Sequence, residues 1–338
     1  MSNFVDSIYS EVLKAQKEEI TQSLIYRSND QSSAKNNFVL FIKPELTCVH
    51  KTLKYPEIFT MIMDRIQKFN FKIHEIKLLT ASYLKQYNIT GQHYGVINKV
   101  CKNAKKELSE SGKVVFKEKY GVSVEEAHVV GGFEFLEEHP YFNPLSLDVL
   151  WQDLEITKLG SGVYSDMVTI DFEKIYLING FHPKQILHFE DKGRSIVVLN
   201  VSADIDWKSA RNEFLGATNP NKALTNTIRH DLLLRSKEFG IPEISYAKNG
   251  VHLSAGPIEG LVELVRFGSD FSDSNKIKTY ADYPLGVELM NHFNSKQIND
   301  ILDNCIVKTP DGKNMSVFDL TEEKNTDETI TLLKQVIQ

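Results

Sequence analysis

The sequence predicts an α+β fold: an antiparallel sheet flanked by helices, interrupted by a mixed, mostly β insertion and followed by a helical tail. Three observations carry this expectation. Four short apolar runs, at 38–42, 71–79, 196–199 and 251–255, have strand length, and segments with helical periodicity separate them. Turn signals crowd the stretch between about 111 and 180. Beyond residue 268 the pattern is mainly helical.

Taken in order, residues 1–36 read as a helix and a linker. Phe4, Ile8, Val12 and Leu13 recur at helical spacing. The polar face is not basic, so a docking helix is expected rather than a membrane-binding one. Ser28-Asn29-Asp30-Gln31-Ser32-Ser33 reads as the linker. The run 38–42 is apolar throughout and closes on Lys43-Pro44, as a buried strand does. Ile58, Ile62, Ile66 and Phe69 mark an amphipathic helix. In the second strand, 71–79, the alternation slips between Ile73 and Ile76. Residues 83–110 read as helical. Gly131-Gly132, Gly160-Ser161-Gly162 and Asn179-Gly180 then read as turns among short β-rich runs such as 167–172. After the third strand, Asp206 suits the N-cap of a helix whose inner face is Trp207, Ala210, Arg211, Phe214 and Leu215. After the fourth, Pro257 suits a first helical turn with Ile258, Leu261, Val262 and Val265 inward. With the insertion at about 100–180 set aside, residues 37–268 alternate strand and helix four times. That order is compatible with a ferredoxin-like split βαβ sheet covered by helices. Residues 269–338 form the mainly helical extension, with a turn at Thr309-Pro310-Asp311-Gly312.

Composition narrows the function classes. The 338 residues are 41% hydrophobic and 25% charged, ordinary for a soluble globular chain. The formal net charge of −6 argues against non-specific nucleic-acid binding, which needs a basic surface. It leaves nucleotide binding open, since that needs only a local cluster of cations. Cys48, Cys101 and Cys305 are far apart and form no CxxC, as expected in a reducing compartment. No apolar run approaches the ~20 residues of a membrane span. The first residues carry Asp6, Glu11, Glu18 and Glu19 without a signal-peptide core. A cytoplasmic protein without membrane or nucleic-acid partners is expected.

Four segments carry chemistry together: FVLFIKP (38–44), GATNP (216–220), TIRHD (227–231) and NGVHLS (249–254), with Glu263 eleven positions after His252. Taken one at a time they are bland. A single histidine in a strand is usually structural, and GATNP reads as a helix end followed by a turn. The residue types nevertheless suit phosphoryl transfer. A neutral imidazole can attack a γ-phosphorus and hold the group as phosphohistidine. Its other ring nitrogen must keep a proton, and Glu263 can accept it and fix the tautomer. Arg229 offers an always-charged planar fork for a phosphate, and Thr218 a hydroxyl.

In that order and spacing the segments resemble the nucleoside diphosphate kinase family over roughly residues 37–100 and 180–268. The resemblance implies that His252 is the phosphate carrier, and that ATP and nucleoside diphosphates are its partners. It implies Lys43 and Asn249 at the sugar 3′-hydroxyl, Lys43 also at the transferred phosphate, and Ser254 behind the His252–Glu263 pair. His93-Tyr94 resembles the His-Tyr pair that helps hold the phosphates, and Phe181 is the candidate aromatic clamp for the base. Mg²⁺ is implied as a cofactor held by the nucleotide and water rather than by a protein cage. The family is usually oligomeric, which makes a homo-oligomer an expectation.

The sequence departs from the family pattern in five places. Glu45-Leu46 follows Lys43-Pro44 where Asp-Gly is usual. Ala255 stands where an acid usually follows His-x-Ser. The arginine expected six positions before Thr218 is Asn212, with Arg211 one place earlier, about 100° around an α-helix. Arg211 serves the phosphates only if the helical register shifts. Arg229 precedes His252 by 23 positions, more than is usual, and the 100–180 insertion enlarges the region that covers the nucleotide.

Other groups offer less. His182 and His188, near Glu190, lack the further ligands a zinc site needs. His230 replaces a small residue beside Arg229. No GxxxxGK[ST] is present, so a P-loop kinase is not supported. Three functions follow: transfer of the ATP γ-phosphate through His252 to a nucleoside diphosphate; the same phosphohistidine serving another small-molecule or protein acceptor; or a non-catalytic nucleotide-binding scaffold.

Overall fold

A computed structural model describes residues 2–18, 20–30, 34–160 and 162–337. Gln31 to Ser33 of the expected linker, and Ser161 of the Gly160–Gly162 turn, lie outside the described residues. The chain divides into two units, Met1–Tyr83 with Lys192–Gln338, and Leu84–Asp191. In chain order the strands are β1 (Gln22–Arg27), β2 (Asn36–Ile42), β3 (Lys72–Thr80), β4 (Val129–Gly131), β5 (Thr157–Gly160), β6 (Val163–Ile170), β7 (Glu173–Ile178), β8 (Ser195–Ala203), β9 (Val251–Leu253), β10 (Ile306–Lys308) and β11 (Asn314–Ser316).

The first unit is built on one sheet in the order β1-β3-β8-β2-β9, antiparallel at every pairing. The four expected strands all form in it. Phe38, Leu40 and Ile42 of β2, Val197, Leu199 and Val201 of β8, and Val251 and Leu253 of β9 enter one core with helix Tyr55–Lys68. Burial on this scale is the dominant favourable term in folding. The slip read between Ile73 and Ile76 is a register shift between Ile73 and Glu75 in the pairing of β3 with β8.

Two features near the ends differ from the sequence expectation. The stretch before the linker is not coil alone, because Gln22–Arg27 pairs along the outer edge of β3 as β1. The C-terminal extension has helices at Pro284–Met290, Ser295–Leu302, Val317–Thr321 and Thr326–Val336, and also a β10–β11 hairpin turning at 309–312. Leu285, Leu289, Ile298, Ile301, Val317 and Leu333 bury against Ile258 and Leu261 of helix Pro257–Gly268. The extension therefore shares a core with the helix that bears Glu263.

The second unit has a four-stranded sheet, β4-β7-β6-β5. It is more helical than β, which corrects the expectation of a mostly β insertion: helices Gly95–Lys102, Glu110–Tyr120, Gly132–Glu138, Pro144–Gln152 and His182–Glu190 accompany the sheet. Gly131-Gly132 is not a turn. A Cβ on Gly131 would lie 2.2 Å from the Cys101 carbonyl oxygen, so this pair is where a strand end and a helix start pass close to a neighbouring helix. All three cysteines are free thiols. Among the described residues no helix is long and apolar enough to cross a membrane.

Candidate functional site

β9 is the edge strand that carries His252. It pairs with β2 so that His252 lies opposite Phe41, and the two rings stack at 4.4 Å and 19°. The imidazole remains 16% exposed while its partner Glu263 is 1% exposed. His252 Nε2 lies 2.8 Å from Glu263 Oε1, within ion-pair distance. The other oxygen, Oε2, accepts from Ser254 Oγ at 2.6 Å, and that hydroxyl accepts from Val39 N at 2.9 Å. Ser254, Glu263 and His252 thus form a line running from the sheet backbone to the ring. Glu263 reaches it because Pro257 starts a helix immediately after β9, two turns before residue 263.

A second cluster lies where β2 ends. Lys43 begins a short 3₁₀ turn, Pro44–Leu46, the consequence of Glu45-Leu46 following Lys-Pro. Its Nζ donates to Asn249 Oδ1 at 2.8 Å. Asn249 Nδ2 donates to the carbonyls of Thr218, at 3.1 Å, and Tyr246, at 3.2 Å. The buried Glu45 carboxylate accepts from Gly250 N at 2.8 Å. Burial pulls the Lys43 ammonium down to about 8; Glu45 opposes that shift and Arg229 adds to it.

Arg229 lies in helix Ile228–Leu234, whose N-cap is Thr227. Its Nε and Nη2 donate to the Val251 carbonyl at 3.3 and 2.9 Å, and Nη1 to the Gly216 carbonyl at 3.0 Å. Gly216 has φ +94°, and a Cβ there would lie 2.4 Å from Thr227 Oγ1, which explains the glycine of GATNP. Arg229 is buried and its pKa falls to about 9, from burial first and then from neighbouring Arg211. Arg211 itself donates from Nη1 to the Leu253 carbonyl at 3.1 Å.

Of the residues singled out in the sequence, the first unit therefore gathers Lys43, Thr218, Arg229, Asn249, His252, Ser254 and Glu263, with Arg211 beside them. His93, Tyr94 and Phe181 belong to the second unit. There His93 ends helix Ile89–His93 with its ring against Tyr94 at 4.8 Å, and Tyr94 also meets Phe189. Phe181 packs near Trp151 and Tyr164, part of a hydrophobic cluster. His182 is a core histidine: Nδ1 meets Gln185 Oε1 at 2.8 Å, and burial lowers its pKa to about 4.

Two residues of the site were not found from the sequence. Glu45 and Tyr246 both act on Arg229 electrostatically, and both contact the Asn249–Gly250 turn. The signal for Glu45 was its place after Lys43-Pro44. Tyr246, 66% exposed, lies in the longer stretch between Arg229 and His252.

No protein-family model and no curated protein sequence matches this chain. Among solved structures, a crystal structure of the Aquifex aeolicus nucleoside diphosphate kinase (orthorhombic form) is similar over 72% of this chain and 99% of its own, at 13% identity and a TM-score of 0.34. So slight a likeness carries no argument about fold or function.

Proposed function

We propose that this chain is a phosphotransferase resembling nucleoside diphosphate kinase, moving the γ-phosphate of ATP through phospho-His252 to a nucleoside diphosphate. The observation that carries the reading is the Ser254–Glu263–His252 line. A carboxylate that keeps the proton on Nε2 leaves the lone pair on Nδ1 for attack. In the first half-reaction that pair forms an Nδ1–P bond as the bond from the γ-phosphorus to its bridging oxygen breaks, and the nucleoside diphosphate leaves with the bond electrons. In the second, a terminal oxygen of the acceptor diphosphate attacks the phosphorus and the Nδ1–P bond breaks. Lys43 and the two guanidinium N–H groups of Arg229 outside its three backbone bonds would stabilise charge on the transferring group. Mg²⁺ enters as part of the nucleotide substrate. Thr218 and Asn249 supply further polar groups for phosphate and sugar.

The test is incubation with Mg²⁺ and γ-labelled ATP beside a His252→Ala control, followed by a chase with GDP, CDP and UDP. Acid-labile label on the wild type alone, discharged to diphosphates, is the expected result. Label that no diphosphate removes would favour another small-molecule or protein acceptor. No label on a folded protein would sink the enzymatic reading and leave a nucleotide-binding scaffold. The commitment of Arg211 to a backbone carbonyl is the observation that favours that last alternative.

Lys43 gives a prediction of pH dependence. Its pKa lies near 8 instead of the usual lysine value, so its charge is present below about pH 8 and lost above it. At subsaturating ATP, which reports the free protein, the labelling rate is expected to fall as pH rises through about 8. Lys43→Arg, which stays charged, should abolish that fall. A decline that survives in Lys43→Arg assigns it to another group.

A further inference from the structure

The strand that carries His252 is an edge strand, and its outer side is held in an unusual way. Gly250 accepts from Lys43 N, and Ser254 donates to Val39, so residues 250, 252 and 254 turn their backbone groups towards β2. The carbonyls of Val251 and Leu253, one on each side of His252, face the open edge. Arg229 caps the first and Arg211 the second.

Arg211 reaches Leu253 because residues 210–215 form a π-helix, in which Gly216 N bonds to Arg211 O five residues back. The wider turn takes in an extra residue and rotates the register. Asn212 bonds along its own helix to Lys208 O instead. At 19% exposure the Arg211 guanidinium lies 3.6 Å from Glu322 Oε1 and 4.0 Å from Glu323 Oε1, both in the C-terminal extension. That segment is built against the site. Glu323 N donates to the Ala255 carbonyl at 2.9 Å, and a Cβ on Gly256 would lie 2.5 Å from the Thr321 carbonyl oxygen. Glu259, one turn before Glu263 on the same helix, is a half-buried carboxyl that desolvation and then the Glu263 charge push up to about 8, with Arg211 opposing the shift.

We propose that the C-terminal extension is a working part of the His252 site: Glu322 and Glu323 hold Arg211, which fixes the Leu253 carbonyl and so sets the position of the His252 ring. Arg211 is a positioning residue and not a phosphate ligand. This rests on the phosphohistidine reading but has a readout independent of it.

The experiment compares the full-length wild type, Arg211→Ala and the double variant Glu322→Gln, Glu323→Gln. It measures labelling rate against ATP concentration and the ring ¹⁵N signals of His252. For Arg211→Ala the maximal labelling rate is expected to fall by about 10–100-fold, as for a misplaced reacting group, with half-saturating ATP held within about twofold. The double variant should show the same split with a smaller loss. A rise in half-saturating ATP at unchanged maximal rate would make Arg211 a phosphate ligand and overturn the proposal. Should Arg211→Ala fail to fold, the double variant, which changes two partly exposed side chains, decides: unchanged kinetics overturn the proposal. If the wild type takes no label, the phosphotransferase reading falls by itself. The ring signals then decide the positioning role: a shift in the double variant supports it, and superimposable spectra overturn it.

Discussion

Glu263→Gln should slow phosphorylation of His252 by about 10³–10⁴-fold with little change in ATP binding. The carboxylate can only accept, so it selects the ring form with the proton on Nε2. A glutamine of the same shape can turn its NH₂ towards Nε2 and favour the tautomer that protonates Nδ1, the atom proposed to attack. Carboxylate-to-amide exchange beneath a catalytic histidine costs on the order of 10⁴ in rate for this reason. Glu263 is also buried, so no water can substitute for it. Single-turnover labelling measures the rate, and ring ¹⁵N shifts report the tautomer. A variant that labels at the wild-type rate would show that Glu263 does not govern the ring, and would remove the main support for the proposed chemistry.

Gly250→Ala should destabilise the protein by about 2–4 kcal/mol, since a left-handed residue with a side chain costs about 1–3 kcal/mol and forced overpacking a similar amount. Gly250 has φ +82°, and a Cβ there would lie 2.3 Å from Leu232 Cδ1. The same residue joins Asn249, the partner of Lys43, to the His252 strand, and its N–H is held by Glu45. Urea denaturation measures the loss. Because relief of the clash would shift the 249–251 backbone, labelling should fall in the fraction that stays folded. A midpoint equal to the wild type would mean that Leu232 and the backbone adjust freely, and that the turn is not a fixed support of the site.

Much of the first unit was legible in the sequence. Continuous apolar runs at 38–42 and 196–199 read as buried strands, and both lie inside the sheet. Even the faulty alternation after Ile73 had meaning, as a bulge. β1 was missed because its side chains are only half-buried, so no periodicity marks it. In the second unit Gly131-Gly132 reads as a turn in the sequence but serves close packing where a strand passes into a helix. Arg211 was placed in doubt because a period of 3.6 residues was assumed, and a π-helix breaks that period.

The sequence by itself determined which chemical groups this protein owns: a histidine on a short strand, a glutamate one helix later, a lysine closing the first core strand, and an arginine and asparagine between them. Local spacing suffices for this because a strand fixes which face a residue takes, and a helix fixes its turn. Only the tertiary structure decided what those groups touch. Lys43 meets Asn249 and Glu45 meets Gly250 across more than 200 positions of chain. Arg211 is given to the Leu253 carbonyl, with acids from the far end of the chain beside it. Hydrogen bonds and charge interactions act over a few ångströms of space, and separation along the chain carries no record of which distant residues will come that close.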